Sequence, residues 1–392
     1  MNMRFSKTLS FSAKEQTNLL ASVLVFLLCA TTSTLSMTGA PLLAVARYAS
    51  VILCAIFSMF VYRYVSGITV LLFLCAAISG ILNFIFIGNS TYTNLLYTLM
   101  SVFIALLFCT PCVSPRSLLY AMYFHAVMVA YCFARYGLHV NIYLRSSNNY
   151  VSCNLLLPVT VYYSLLEWRG ERIPKLPALI VFILSVLAMG RGGVFSSGIL
   201  LAGVLFRSFK DFRPIHRAFL VTGMVIGTVV MIRMSSSLEI ASRFNRNGMS
   251  DNGRFPIWME YLHSVFKNDI YFWLGAKFKG LPLVTYHENN LHNSFLNIHA
   301  FNGALMLILL FCLSLYTVYY AIRRKRLIFL TCMASLFFRG LTDRLLWGAT
   351  GTPFMLFFLM MPHFDSLYQM RWRRWQLEKS SVKTRLLPES YF

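Results

Sequence analysis

The feature that most constrains this chain is the recurrence of apolar blocks of about 17–25 residues, broken only by short polar turns. A block of that length and polarity spans hydrocarbon as an α-helix. An amphipathic stripe, by contrast, would show charges every three or four positions. Twelve blocks can be placed, at about 17–35, 41–62, 67–87, 94–113, 118–136, 151–167, 174–190, 194–206, 218–234, 294–321, 327–340 and 352–369. Only 12% of the residues are charged. The expected fold class is an all-α polytopic membrane protein with about twelve transmembrane helices.

The net charge of +22 would suggest nucleic acid in a soluble protein. Here the Lys and Arg residues sit in short clusters between the apolar blocks, as topology signals do, and nucleic-acid binding is discounted. Counted alternately, one face receives the N-terminus, Arg63, Arg116, Arg169, Arg207 and its neighbours, the Arg323–Arg326 run and the tail from Arg371 to Arg374. The positive-inside rule makes that face cytoplasmic, with both termini on it. The expected organisation is 1–234 as the first nine helices, 235–293 as one large periplasmic loop, 294–369 as the last three helices and 370–392 as a basic cytoplasmic tail. In that tail Trp372 and Trp375 read as interfacial anchors. The N-terminal block reads as an uncleaved first span, since no small-residue cleavage site follows it.

The nine cysteines all fall in or at the ends of apolar blocks, so no disulfide framework is implied. Cys109 and Cys112 imitate a redox CxxC, but they close a membrane helix and lack a thioredoxin-like setting. Histidines without Asp or Glu at ligand spacing argue against a metal site, and no cofactor is expected.

Residues suited to chemistry gather on the other, outward face. Arg191, in Met189-Gly190-Arg191-Gly192-Gly193, reads as a turn between two apolar runs. A guanidinium there suits bidentate phosphate contacts, with glycines leaving the backbone open to a bulky anion; a snorkelling loop arginine is the plainer alternative. Arg254 follows the turn signature Asp251-Asn252-Gly253 and precedes what reads as an interfacial amphipathic helix. Two arginines suit a pyrophosphate; a solvated loop charge is the alternative. His292 and His287 sit where the long polar loop re-enters the apolar chain, a natural place for proton transfer. His292, Asn293 and His299 would share one polar face of a helix, although His299 also reads as a packed polar residue. Arg339, Asp343 and Arg344 lie at the outer end of the eleventh block; Arg339 and Asp343 read as substrate-binding groups, and an Arg–Asp pair there is a structural option. Arg145, Asn148 and Asn149 open the sixth block with groups suited to sugar hydroxyls.

In these patches the chain resembles the bacterial O-antigen polymerase (Wzy-type) and O-antigen ligase (WaaL-type) superfamily. The patches are the Arg191-Gly-Gly segment, Asp251-Asn-Gly-Arg254-Phe-Pro-Ile-Trp258, and His292-Asn-Ser-Phe-Leu with the family's His-x10-Gly spacing to Gly303. A corresponding Arg-x10-Gly spacing from Arg191 falls on Ala202, with Gly203 one later. The resemblance implies a GT-C-like integral membrane glycosyltransferase of the bacterial inner membrane, acting on undecaprenyl-diphosphate-linked oligosaccharide at the periplasmic face. It also implies work alongside a chain-length regulator and a flippase. His292, or His287, would be the general base; Arg191 and Arg254 would stabilise the departing diphosphate. The polymerase branch is the leading expectation, with a ligase transferring polysaccharide to lipid A-core as the alternative. A transporter of lipid-linked sugars stands further behind, because it predicts related halves and no such repeat is found.

Overall fold

A computed structural model describes residues 2–61, 66–138, 141–143, 148–188, 190–209, 254–347 and 351–386. Among them every regular element is helical. They run α1 (Asn2–Thr38), α2 (Pro41–Val61), α3 (Gly67–Leu82, continued by a π-helical turn Asn83–Ile87), α4 (Tyr92–Phe108), α5 (Pro115–Tyr136), α6 (Tyr150–Arg169), α7 (Leu176–Leu187) and α8 (Arg191–Phe209). After residues outside the description come α9 (Arg254–Val265), α10 (Asp269–Leu274), α11 (Pro282–Tyr286), α12 (Ser294–Arg323), α13 (Leu327–Leu341) and α14 (Thr352–Leu386). Eleven of the twelve predicted apolar blocks are thus helices; the block at 218–234 lies outside the described residues. Among the described residues, five helices (α1, α2, α3 with its π turn, α5 and α12) are long and apolar enough to cross a membrane.

The core is built on α6. Every side chain from Val151 to Leu166 is buried, so this helix is enclosed on all sides, as a helix apolar all round must be. It packs against α5, α7, α8, α13 and α14. The first turns of α14, Thr352 to Pro362, are buried in the same way. On the periphery the large apolar side chains face outward instead: Leu42, Phe60, Val127 and Phe311 are all exposed. An exposed apolar surface of that extent is tolerable only against lipid or a partner.

Helices α8 and α13 approach closely because small residues line their contact. A Cβ at Gly203 would sit 2.2 Å from the Thr331 methyl group, and Ser335 Oγ donates to the Ser196 carbonyl at 2.7 Å. Small and hydroxyl residues let apolar helices meet where lipid offers no hydrophobic drive. Gly203 is therefore a packing residue.

One end of the bundle is tied by Glu167, whose carboxylate accepts from the Ile328 and Phe329 amides at 3.1 and 2.8 Å and so caps α13. Beside it Asp365 accepts from Trp168 Nε1 at 2.8 Å and lies 3.8 Å from Arg326. The segment expected as a tail continues α14 as helix through Leu386. Trp372 is buried, with the Arg169 guanidinium 4.3 Å from its ring centroid. It packs inward and does not stand out as an anchor.

At the other end α12 is broken. The sequence reads as one unbroken apolar run, but Gly303 adopts φ 72° inside it, and there the backbone of α10 comes against the helix. A Cβ on Gly303 would lie 1.9 Å from the Trp273 carbonyl oxygen. Gly280 also has positive φ (95°), but nothing lies within 4 Å of its Cβ position. Replacing Gly280 with Ala should therefore cost about 1–2 kcal/mol, the left-handed penalty alone. Gly303→Ala adds a backbone collision and should lower the thermal unfolding midpoint of the purified protein much further than Gly280→Ala does.

Candidate active site

The starts of α6, α8, α9 and α12 and the end of α13 meet around one side chain, Arg339. It is 2% exposed, and its fork is fully engaged. Nη2 donates to Asp343 Oδ2 at 3.0 Å and to the Asn149 carbonyl at 3.2 Å. Nη1 donates to Thr342 Oγ1 at 2.9 Å, and Nε to Ser152 Oγ at 3.3 Å. A buried arginine is tolerable only with its counter-ion and hydrogen bonds in place, and this one has both.

Arg191 is the first residue of α8 and not part of a turn, which differs from the expectation; α7 ends earlier, at Leu187. The glycines serve close approach here more than flexibility. A Cβ on Gly190 would lie 2.5 Å from Asn149 Oδ1, one on Gly192 2.5 Å from Thr342 Oγ1, and one on Gly193 2.3 Å from Ser152 Oγ. Three side-chain-free positions thus seat the α8 N-terminus against α6 and α13. Arg254 likewise opens its helix, and its Nη1 donates to the Thr342 carbonyl. Arg191 and Arg254 are both half-buried.

The histidine segment joins the same cluster through its next residues. Asn293 caps α12, its Oδ1 accepting from the Phe295 and Leu296 amides at 2.9 and 3.1 Å. Ser294 Oγ donates to the Asp343 carbonyl at 2.7 Å and accepts from the Leu346 amide at 2.8 Å. His292 precedes the cap with φ 48°, so it lies off the helix and cannot share a stripe with His299. Its backbone is held from both sides: Asn290 Oδ1 accepts from the His292 amide at 2.9 Å, and Trp258 Nε1 donates to the Leu291 carbonyl at 2.7 Å. The His287 and His292 rings stand edge to face, 5.7 Å apart, and both are half-buried.

His299 belongs elsewhere. Its Nε2 is 2.8 Å from the Phe272 carbonyl, which only accepts, so Nε2 carries the proton. Nδ1 then accepts from the Tyr261 hydroxyl at 2.7 Å; burial pushes that phenol's pKa up, keeping it a donor. Both ring nitrogens are occupied, and His299 pins α9 and α10 onto α12. Asn148 accepts the Ile142 amide on its Oδ1 at 3.0 Å, which fits a loop-holding role better than sugar contact. Arg145 lies outside the described residues, as do Asp251, Asn252 and Gly253.

The cluster's sign is positive. Arg191 and Arg254 open two of the helices that meet here, and Asp343 is already paired with Arg339 at 3.0 Å. Four helix N-termini, at Tyr150, Arg191, Arg254 and Ser294, add their positive ends. Such a constellation suits an anion. No group of three or more His, Cys, Asp or Glu that would hold a metal occurs among the described residues. The hydroxyls that complete the cluster (Ser152, Ser294 and Thr342) carried no distinguishing sequence signal, because Ser and Thr in apolar helices commonly bond their own backbone, as Ser196 and Ser197 do here.

Removing Arg339 alone strands Asp343 in the interior. Arg339→Ala should cost about 3–5 kcal/mol, read as a lower unfolding midpoint and reduced accumulation of folded protein. The double variant Arg339→Ala/Asp343→Ala should recover part of that loss.

No protein-family model matches the sequence, and no curated protein matches it; the functional reading therefore rests on the chemistry of this site.

Proposed function

We propose that this protein is an integral membrane glycosyltransferase that joins lipid-diphosphate-linked oligosaccharide units, an O-antigen polymerase of the bacterial inner membrane. The observation that carries the reading is the convergence of Arg191 and Arg254 with four helix N-termini, two residues along the chain from His292 where Ser294 binds the Asp343 carbonyl.

In this reading twelve spans hold the site at the outward face, with the 235–293 segment as a periplasmic loop beside it. The donor is the growing glycan on its lipid diphosphate. His292, with His287 beside it, takes the proton from an acceptor sugar hydroxyl. That oxygen attacks the anomeric carbon while the bond from that carbon to the diphosphate oxygen breaks. The bond pair leaves with the lipid diphosphate, and the anomeric configuration inverts. Arg191 and Arg254 stabilise the charge growing on the leaving group, a task that fixed cations perform best in a water-poor site. The diphosphate is already activated, so neither a nucleotide nor a metal is called for. Arg339, Asp343 and Asn149 act in this scheme as the frame that holds the arginines and the histidine segment in register.

His292→Ala should abolish transfer while the protein still inserts and accumulates; loss of the protein itself would mean the histidine is structural. Arg191→Lys should also impair transfer by about tenfold or more, because a point charge does not reproduce the planar fork. Lipopolysaccharide from cells lacking the gene decides the branch: core bearing a single repeat unit supports polymerisation, and bare core with polymer kept on the lipid carrier supports ligation. An unchanged ladder removes both.

A further inference from the structure

Next to Asp343 stands a second enclosed arginine with the opposite fate to Arg339. Arg344 has no carboxylate partner and no side-chain hydrogen bond among the described residues. Its guanidinium lies 5.1 Å from the ring centroid of Phe301, and its other electrostatic neighbour is the Tyr150 phenol. The side chain is largely enclosed and keeps part of its surface open. Burial without a counter-ion pulls its pKa below the ordinary arginine value. A charge desolvated in this way and left unmatched is costly to keep, and it points to an anion that joins it.

Arg344 lines a cavity between α4, α12 and the 342–347 segment, together with Ser90, Asn94, Thr98, Asn302 and Tyr97. The cavity comprises about 350 Å³ of atom-free space, part of it open to the surroundings, and has room for about one or two water-sized groups, so it would take the oxygens of a phosphate with the ester left outside. The walls offer donors and no acid. Ser90 Oγ and the Asn94 side-chain amide make no hydrogen bond within the described residues, and both sit at the start of α4, the positive end of that helix. Behind Tyr97 lies another arginine: Arg47 Nη2 donates to the Tyr97 hydroxyl at 3.2 Å, and Arg47 Nε is buried without a hydrogen-bond partner among the described residues.

We infer that this cavity is an oxyanion subsite separate from the Arg191/Arg254 cluster, taking a phosphate group on Arg344, Asn94 and Ser90. The two arginine sets share Tyr150 as an electrostatic neighbour but make their direct contacts with different groups. Arg339 and Arg254 turn to α6, α8 and the Thr342 carbonyl, whereas Arg344 stacks on Phe301 of α12 beside α4. The phosphate comes either from a phospholipid headgroup or from a lipid-linked substrate. The second source rests on the proposed function, because joining two lipid-diphosphate units places a second anion beside the first.

The test is binding and not transfer, so it stands apart from the glycosyltransferase reading. Inorganic pyrophosphate is titrated, at fixed ionic strength, into the full chain in phosphatidylcholine nanodiscs, with the unfolding midpoint as readout. Wild type should show saturable stabilisation, and Arg344→Gln should bind about tenfold more weakly. Asn94→Ala, at a half-buried wall position, should weaken binding in the same direction and serves if Arg344→Gln does not fold. Arg191→Gln should keep the component that Arg344→Gln loses. In phosphatidylglycerol nanodiscs, loss of the Arg344-dependent component would assign the site to a lipid headgroup, and its persistence would assign it to a substrate phosphate. Unchanged pyrophosphate affinity in folded Arg344→Gln and Asn94→Ala, or no stabilisation of wild type at all, overturns the inference.

Discussion

The Arg339–Asp343 pair is the contact on which this end of the protein depends. A guanidinium 2% exposed needs hydrogen-bond partners, and the groups that match it are four residues from two separated stretches: Asn149 and Ser152 at the start of α6, and Thr342 and Asp343 after α13. Asp343 and Thr342 in turn receive Ser294 and Arg254 through their backbone carbonyls. One satisfied ion pair thereby fixes where α6, α9, α12 and α13 begin or end relative to each other. Buried pairs seldom add net stability over apolar packing, and their best-attested use is to specify one arrangement among several. Here the arrangement specified is the approach of Arg254 and the histidine segment to the start of α8.

The glycines show the same economy of space. Gly190, Gly192 and Gly193 fall where α8 would otherwise collide with Asn149, Thr342 and Ser152. Gly303 falls where α12 would collide with the α10 backbone. The short segment α9–α11 docks over the broken helix, held by the Tyr261–His299–Phe272 chain of hydrogen bonds. It leaves Phe255, Phe266 and Trp273 exposed, the apolar and aromatic character of a segment lying at a membrane surface.

The helices were legible because their signal is composition over a long window: α2, α3, α5 and α6 begin within about three residues of the apolar blocks that announce them. Failures came where a residue type has two physical uses. Gly-Arg-Gly-Gly read as a turn because glycine is conformationally free, yet its use here is the missing side chain, and only the identity of the packing partner separates the two. His292 and His299 have helical spacing, but Asn293 is a good N-cap, and a cap between them places the two histidines in different structural contexts. Gly303 was visible by its spacing from His292, while the break it permits depends on Trp273, thirty positions earlier, which no local pattern reports.

Arg339 and Arg344 show why the candidate site itself was only partly legible. Both arginines stand five residues apart in one segment, flanked by the same Asp343, and sequence alone offers either of them as its partner. The i, i+4 spacing on α13 lets Arg339 reach back along the helix face, and it takes the carboxylate at 3.0 Å. Arg344 follows after the helix has ended, and its side chain is carried toward α12 instead. A helix boundary of one turn thus decides which arginine becomes structure and which keeps its charge available. The end of α13 is neutralised at Arg339, whereas Arg344, just past it, has no carboxylate partner among the described residues and lies over the Phe301 ring.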